Sequence, residues 1–317
     1  MRNREVGNTG VEVSVVGIGG WQMGGPDTPD GIGHGWGDVD DKRSIKIIHR
    51  AQELGVNLID TADIYGNGHS EQVIGDALEG RRDRWIVATK GGLAKDPKKR
   101  GQYFDGSAKH IREACEDSLR RLRTDYVDFY QLHGMPESLD VENTMAELAK
   151  LREEGKIRFF GISTGSVDHI KQLQQHGSVE IVQIGFSLLH RKETEALDYC
   201  ADQGIGTFIR TPLAQGAAFG HYAVESAPEF EFGDNRHGKT REEIADQHSP
   251  GLKFSFLWEG SDRSPAQAAL RFVIDRPGVS AVIPGTKKLS HLENNAGAAD
   301  VESIDDAELR RIEAAIA

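Results

Sequence analysis

Eight short apolar runs of strand length alternate one for one with eight longer amphipathic stretches along this 317-residue chain. Residues 13–18, 56–60, 85–89, 126–132, 158–162, 181–184, 206–210 and 279–283 read as strands. Residues 41–54, 70–79, 107–122, 141–154, 167–176, 192–201, 265–274 and 289–299 carry apolar residues at helical spacing. A strand, a helix and a second strand make a right-handed parallel unit. Eight such units in one α/β chain favour a closed (β/α)8 barrel, with a doubly wound open sheet as the runner-up.

The remaining segments fit around that barrel. Residues 5–6 and 11–13 flank Asn8, Thr9 and Gly10, which predicts an N-terminal β-hairpin able to plug the barrel bottom. Residues 305–317 predict an additional C-terminal helix. Residues 212–264 mix Gly, Pro, Glu and aromatic side chains without periodicity and are expected to pass over the active-site face. The stretch 31–37, GIGHGWG, lacks the Lys and Ser or Thr of a phosphate loop and reads as a rim loop, with Trp36 a candidate for the pocket lining. Finding no linker or internal repeat, we expect residues 1–317 to form a single barrel domain.

Composition narrows the partners. Lys and Arg number 38 against 50 Asp and Glu, a formal charge of −12 that repels a phosphate backbone, so nucleic acid is not an expected partner. Cys115 and Cys200 lie in helical patterns without a metal or redox mate and read as buried thiols of a reducing compartment. No stretch approaches the ~20 apolar residues that span a bilayer, and residues 1–10 hold no apolar targeting core, so we expect a cytoplasmic protein without membrane contact. The sequence leaves the oligomeric state open.

In such a barrel, reactive side chains project from the C-terminal ends of strands. Asp60 ends the second predicted strand, Tyr65 follows on its loop, Lys90 ends the third and His133 the fourth. Each alone has an ordinary structural use: a strand-end Asp caps a helix, and a loop Tyr or His packs or hydrogen-bonds. Together they suit proton donation to a carbonyl. A phenol with an ordinary pKa of about 10 is too weak an acid near neutrality, and a neighbouring ammonium corrects this by favouring the phenolate. Asp60 would hold Lys90 charged and oriented, while His133 would bond the carbonyl oxygen or relay its proton. A hydride then has to come from a cofactor. Scattered histidines such as His34, His69 and His133 lack the carboxylate and spacing of a metal site, and no metal is expected.

The segments DTADIYGNGHSE (60–71), ATKG (88–91) and QLH (131–133) resemble the aldo-keto reductase superfamily, whose TIM barrel carries an Asp, Tyr, Lys and His tetrad at these strand ends. The resemblance runs from about Gly7 to Ala299. It implies NAD(P)H-dependent reduction of a small aldehyde or ketone, or oxidation of the matching alcohol, with Asp60, Tyr65, Lys90 and His133 catalytic and Trp21, Tyr65 and His133 around the substrate. No glycine-rich dinucleotide fingerprint follows a strand, consistent with a family that binds its cofactor differently.

The resemblance also assigns cofactor contacts. Gly20 and Trp21 follow the first strand, and Asp60 contributes beside the nicotinamide. Ser163, Thr164 and Gln183 match the pocket of its carboxamide, Thr164 standing where Asn is usual. Arg210, Thr211, Pro212, Leu213, Gln215 and Gly216 match the segment after the seventh strand, where an aromatic residue often stacks on the ring. Arg210 takes that position and reads as a cofactor contact, with a strand-end salt bridge as the alternative. Ile283, Gly285, Thr286, Lys287, His291, Asn294 and Asn295 match the adenosine-phosphate segment. Lysines at a helix start favour the 2′-phosphate of NADPH over NADH, although His291 stands where many members have Arg and Gly285 where some have Lys. Two other readings stay open: a cofactor-binding sensor with little turnover, and a lyase using Lys90 as a Schiff-base nucleophile.

Overall fold

The computed structural model describes residues 1–26, 35–95, 102–136 and 138–316. Eight strands form one parallel sheet: β1 Ile18–Gly19, β2 Leu58–Asp60, β3 Ile86–Gly91, β4 Val127–Leu132, β5 Ile157–Ser163, β6 Ile181–Gly185, β7 Gly206–Arg210 and β8 Ala281–Val282. Parallel bridges from Val16 to Val282 and from Gly19 to Gly285 join the last strand to the first. The sheet therefore closes on itself, with Gly17 N donating to Val282 O at 2.8 Å and Gly19 N to Pro284 O at 3.1 Å. The barrel expectation holds, and the open-sheet alternative does not.

The surrounding helices are α1 Asp41–Glu53, α2 His69–Leu78, α3 Ala108–Leu122, α4 Val141–Glu153, α5 Val167–Gln174, α6 Thr194–Gln203, α7 Pro265–Ile274 and α8 Leu289–Gly297. Their starts are written in short polar side chains: Asp40, Ser107, Asp140, Ser166 and Ser264 each accept a backbone N–H of the first turn, satisfying donors that the helix leaves unpaired. A further helix, Asp306–Ile316, docks through buried Ile312. Among the described residues no helix is long and apolar enough to cross a membrane.

The first predicted strand divides in two. Glu12–Ser14 pairs antiparallel with Asn3–Glu5 in the hairpin, and only Ile18–Gly19 joins the barrel. Ser14 turns the chain between them: its N–H donates to Asn57 Oδ1 at 2.7 Å and its hydroxyl to Val16 O at 2.8 Å. The hairpin is the expected plug. Val6, Val11 and Val13 pack on Leu58, Ala88, Phe129, Ile181, Phe208 and Ala281, an inner core separate from the layer between sheet and helices. One barrel end is thereby filled, which leaves the strand C-termini for chemistry.

Two regions carry more structure than the sequence suggests. Leu93–Lys95 and Gln102–Phe104 form a short hairpin after β3. Residues 212–264 contain 3-10 turns at Ala214–Phe219 and Ser249–Leu257 and helices at His221–Val224 and Arg241–His248. The last of these buries only Ile244 and His248, so it has no apolar stripe to read; a Thr240–Glu243 capping box starts it. Of the glycine-rich stretch, residues 31–34 lie outside the described residues, whereas Trp36 bridges antiparallel to Asp234.

Gly91, at the end of β3, has to lack a side chain. A Cβ there would overlap the Tyr130 hydroxyl. We expect Gly91→Ala to destabilise the fold by about 1–3 kcal/mol through overpacking. Adding Tyr130→Phe should recover part of that loss in thermal denaturation; strictly additive losses would contradict the steric account.

Candidate active site

The Tyr65 loop is tied down before any side chain is considered. Thr61 N donates to Ala88 O at 2.8 Å, Asp63 N to Lys90 O at 3.1 Å and Tyr65 N to Ala62 O at 3.2 Å. Gly66, at φ 60°, follows, and a Cβ on it would collide with Gly24 O, so the Tyr65 loop and the loop after β1 touch backbone to backbone. Four residues predicted from three separate segments, Asp60, Tyr65, Lys90 and His133, meet here.

Lys90 is fully buried. Its Nζ donates to Asp60 Oδ1 at 2.6 Å and to Thr61 O at 2.8 Å, and the Tyr65 hydroxyl is its third partner. Burial works against the ammonium, but Asp60 and Tyr65 outweigh it and hold the Lys90 pKa above the ordinary lysine value. The Asp60 carboxylate also accepts from Gln183 Nε2 at 2.8 Å and, more weakly, from Gln131 Nε2 at 3.4 Å. Both its oxygens are thus engaged by protein donors.

Nζ of Lys90 lies 5.1 Å from the Tyr65 ring centroid. Tyr65 stacks on Trp21 at 6.1 Å and meets the His133 ring edge-on at 5.7 Å; Trp21 in turn meets Trp36 edge-on at 5.4 Å. The phenol departs from the sequence expectation in its net direction. Burial pushes Tyr65 above its ordinary value, and the Lys90 charge opposes that without reversing it. Burial, then the charges of Lys90 and Arg210, hold His133 well below its usual range, so the imidazole is neutral near pH 7. Its Nδ1 is buried without a hydrogen-bond partner.

The other predicted residues divide between this mouth and its rim. Gly20 N donates to Asp60 O at 2.7 Å, which sets Trp21 over the pocket. Ser163 ends β5. The Thr164 hydroxyl accepts from Ser166 N and bonds His169 Nδ1, both at 3.1 Å, so it helps start α5. Arg210 donates to Glu193 Oε1 at 2.8 Å, while Glu193 Oε2 accepts from Gly185 N at 2.7 Å. This is the strand-end salt bridge, made with a glutamate whose place beside β6 nothing in the sequence announces.

On the adenosine side, Ile283 N donates to Ile209 O at 3.0 Å, joining β8 to β7. Lys288 N donates to Thr286 Oγ1 at 3.1 Å in the turn that opens α8. Lys287 is occupied, its Nζ donating to Trp36 O at 2.5 Å and Asp38 O at 2.9 Å. Asn294 Oδ1 accepts from Ser264 Oγ at 2.9 Å, which joins α8 to the cap of α7; Asn295 is buried and His291 exposed on α8. Gly285 packs against Gln22, which would occupy the space of a side chain there.

One backbone feature fits an anionic cofactor. Thr211, Ala214, Gln215 and Gly216 have φ of 52°, 46°, 60° and 96°, three of them non-glycine residues in a conformation that costs about 1 kcal/mol or more each. Ala214 N donates to Thr211 O at 2.9 Å and Gly216 N to Leu213 O at 2.8 Å inside the turn, and left-handed residues of this kind turn the neighbouring N–H groups into a concavity suited to phosphate oxygens. Pro212 and Leu213 lie within the same turn. Among the described residues no group of three His, Cys, Asp or Glu side chains gathers to hold a metal ion.

The sequence pattern of the aldo/keto reductase family matches residues 15–317. An aldo-keto reductase of Bacillus subtilis (strain 168) is 31% identical over 300 residues, covering 92% of this chain and 87% of that protein. The NADH-specific methylglyoxal reductase of Escherichia coli (strain K12) is 36% identical over 242 residues, 72% of each chain. An aldo-keto reductase from Klebsiella pneumoniae, solved in complex with NADPH, superposes with a TM-score of 0.73 at 25% identity, over 99% of this chain and 95% of that one. Matched in sequence from the end of its hairpin onward and in shape along nearly its whole length, this chain belongs to the aldo/keto reductase family and is an NAD(P)H-dependent oxidoreductase.

Proposed function

We propose that this chain reduces an aldehyde or ketone, or oxidises the matching alcohol, with NADPH as the cofactor and Tyr65 as the proton donor. The observation that carries this reading is the fixed Lys90 ammonium: Asp60 at 2.6 Å and Thr61 O at 2.8 Å hold two of its protons and leave the third for Tyr65. When bound, the reduced nicotinamide supplies hydride to the carbonyl carbon. Tyr65 gives its phenolic proton to the carbonyl oxygen, and Lys90 stabilises the phenolate left behind. Neutral His133 orients that oxygen by hydrogen bonding. Trp21 walls the pocket, and its stacking on Tyr65 keeps water from the proton path.

Ser163, Thr164 and Gln183 would hold the nicotinamide carboxamide. With Gln183 Nε2 committed to Asp60, its amide oxygen is the acceptor for the carboxamide N–H. Gly216 and its left-handed neighbours would cradle the pyrophosphate, and Arg210 would approach the ring with one face while paired to Glu193. The start of α8 with exposed Lys288 favours a 2′-phosphate. Since Lys287 already serves two carbonyls, we expect only a modest preference for NADPH over NADH, roughly tenfold, from the helix start and one free lysine.

Separate titrations of NADPH and NADH, followed by quenching of tryptophan fluorescence at low salt, test the cofactor reading. Tighter NADPH binding, with turnover on a panel of aldehydes and ketones, is the expected result. Equal binding of the two would remove the 2′-phosphate assignment; binding of neither by folded, nucleotide-free protein would remove the hydride source.

A further inference from the structure

Behind the Tyr65–Lys90 pair lies a second buried ionisable layer that the steps above do not use. Glu71, on α2 and fully buried, accepts from Thr89 Oγ1 at 2.6 Å and from Arg121 Nε of α3 at 2.7 Å. Arg121 is thereby committed. Asp63 Oδ1 lies beside this layer, buried and without a hydrogen-bond partner. Tyr130 of β4 brings a second orphan, its hydroxyl, into the same neighbourhood, against Cys115 of α3. The charged and titratable groups facing Asp63 are therefore Glu71, Arg121, Lys90 and Tyr130.

We propose that Asp63 is a positioning residue for the reaction, its carboxyl group bracing the turn that carries Tyr65 while its backbone N–H ties that turn to the strand end that carries Lys90. The tie is the 3.1 Å bond from Asp63 N to Lys90 O, and the brace is the buried carboxyl group itself, its Oδ1 shut away from water two residues before Tyr65. A second carboxylate beside Glu71 would have no cation of its own, because the nearest guanidinium is spent. Burial first, and the Glu71 charge second, accordingly push Asp63 up to about 8, against the pull of Arg121, Ile64 N–H and Lys90. The group braces the turn as a neutral acid. When it gives its proton to water in alkali, a new anion competes with Tyr65 for the Lys90 field and makes the phenol a poorer acid.

This inference rests on the Tyr65 reading, and two variants separate the outcomes. Carbonyl reduction by the wild type should lose kcat as pH rises through about 8. Asp63→Asn, which mimics the neutral acid, should keep the neutral-pH kcat and lack that decline. Asp63→Ala should lower kcat about tenfold at pH 7 while the cofactor Kd stays unchanged. Thermal stability supplies a readout free of turnover. The native state keeps a proton that the unfolded chain loses at an ordinary carboxyl value near 4, so wild type should lose stability relative to Asp63→Asn between about pH 4 and 8. An alkaline decline retained in Asp63→Asn, or wild-type kcat in Asp63→Ala, would overturn the inference. Full turnover in Tyr65→Phe would instead overturn the reading beneath it.

Discussion

Tyr65→Phe should reduce turnover roughly a thousand-fold while leaving cofactor affinity and thermal stability close to wild type. The change removes one oxygen and keeps the ring, so the stacking on Trp21 and the edge contact with His133 survive. What goes is the only proton that Lys90 is arranged to release toward a substrate. Lys90 keeps Asp60 and Thr61 O as partners, so the buried charge stays compensated. The measurement is single-turnover reduction under saturating cofactor, beside a binding titration. A rate within a few-fold of wild type would remove Tyr65 from the chemistry, and weakened cofactor binding would assign it a different task.

Lys90→Met should abolish turnover and also destabilise the fold, the reverse of the Tyr65 pattern. It strands the Asp60 carboxylate in the barrel interior with only two glutamine amides as donors. Breaking a buried ion pair from one side costs about 3–5 kcal/mol, which for a chain of this size lowers Tm by roughly 5–10 °C. Burial already holds the Asp60 pKa above its ordinary value against the pull of Lys90, Gln183 and Gln131, and loss of the ammonium raises it further in the folded state. The deficit should therefore grow as pH rises past the ordinary carboxyl range and shrink in acid. Adding Asp60→Asn should restore much of the stability and none of the activity. A double variant no more stable than Lys90→Met would show that the loss comes from packing rather than from the unpaired charge.

Much of the fold was readable because helix starts and barrel strands are local statements. Ser264 and Gln267 mark the start of α7, and strands such as Val127–Leu132 are buried on both faces as parallel barrel strands are. The tetrad was readable because its residues sit where strands end. Charge partners across the mouth were not. Arg210 finds Glu193, and Lys287 finds the carbonyls of Trp36 and Asp38, through loop paths that no periodicity encodes. Burial misled in a different way: the Tyr65 phenol is lowered by its lysine and raised more by its dry surroundings, and a sequence shows only the lysine. Gln131 was legible in principle, as a polar side chain inside an otherwise buried strand, the same signal that Gln183 gives.

The closure of the sheet has a consequence for biosynthesis. The seam between β1 and β8 joins Val16 and Gly19 to Val282 and Gly285, so a ribosome must deliver all eight strands before the ring can shut. Until then Phe129 and Phe208 face an interior that the early hairpin can cover only once its last supporting strand arrives. Nascent chains halted before residue 281 are therefore open troughs with two unpaired edges, the form most exposed to aggregation and to capture by chaperones.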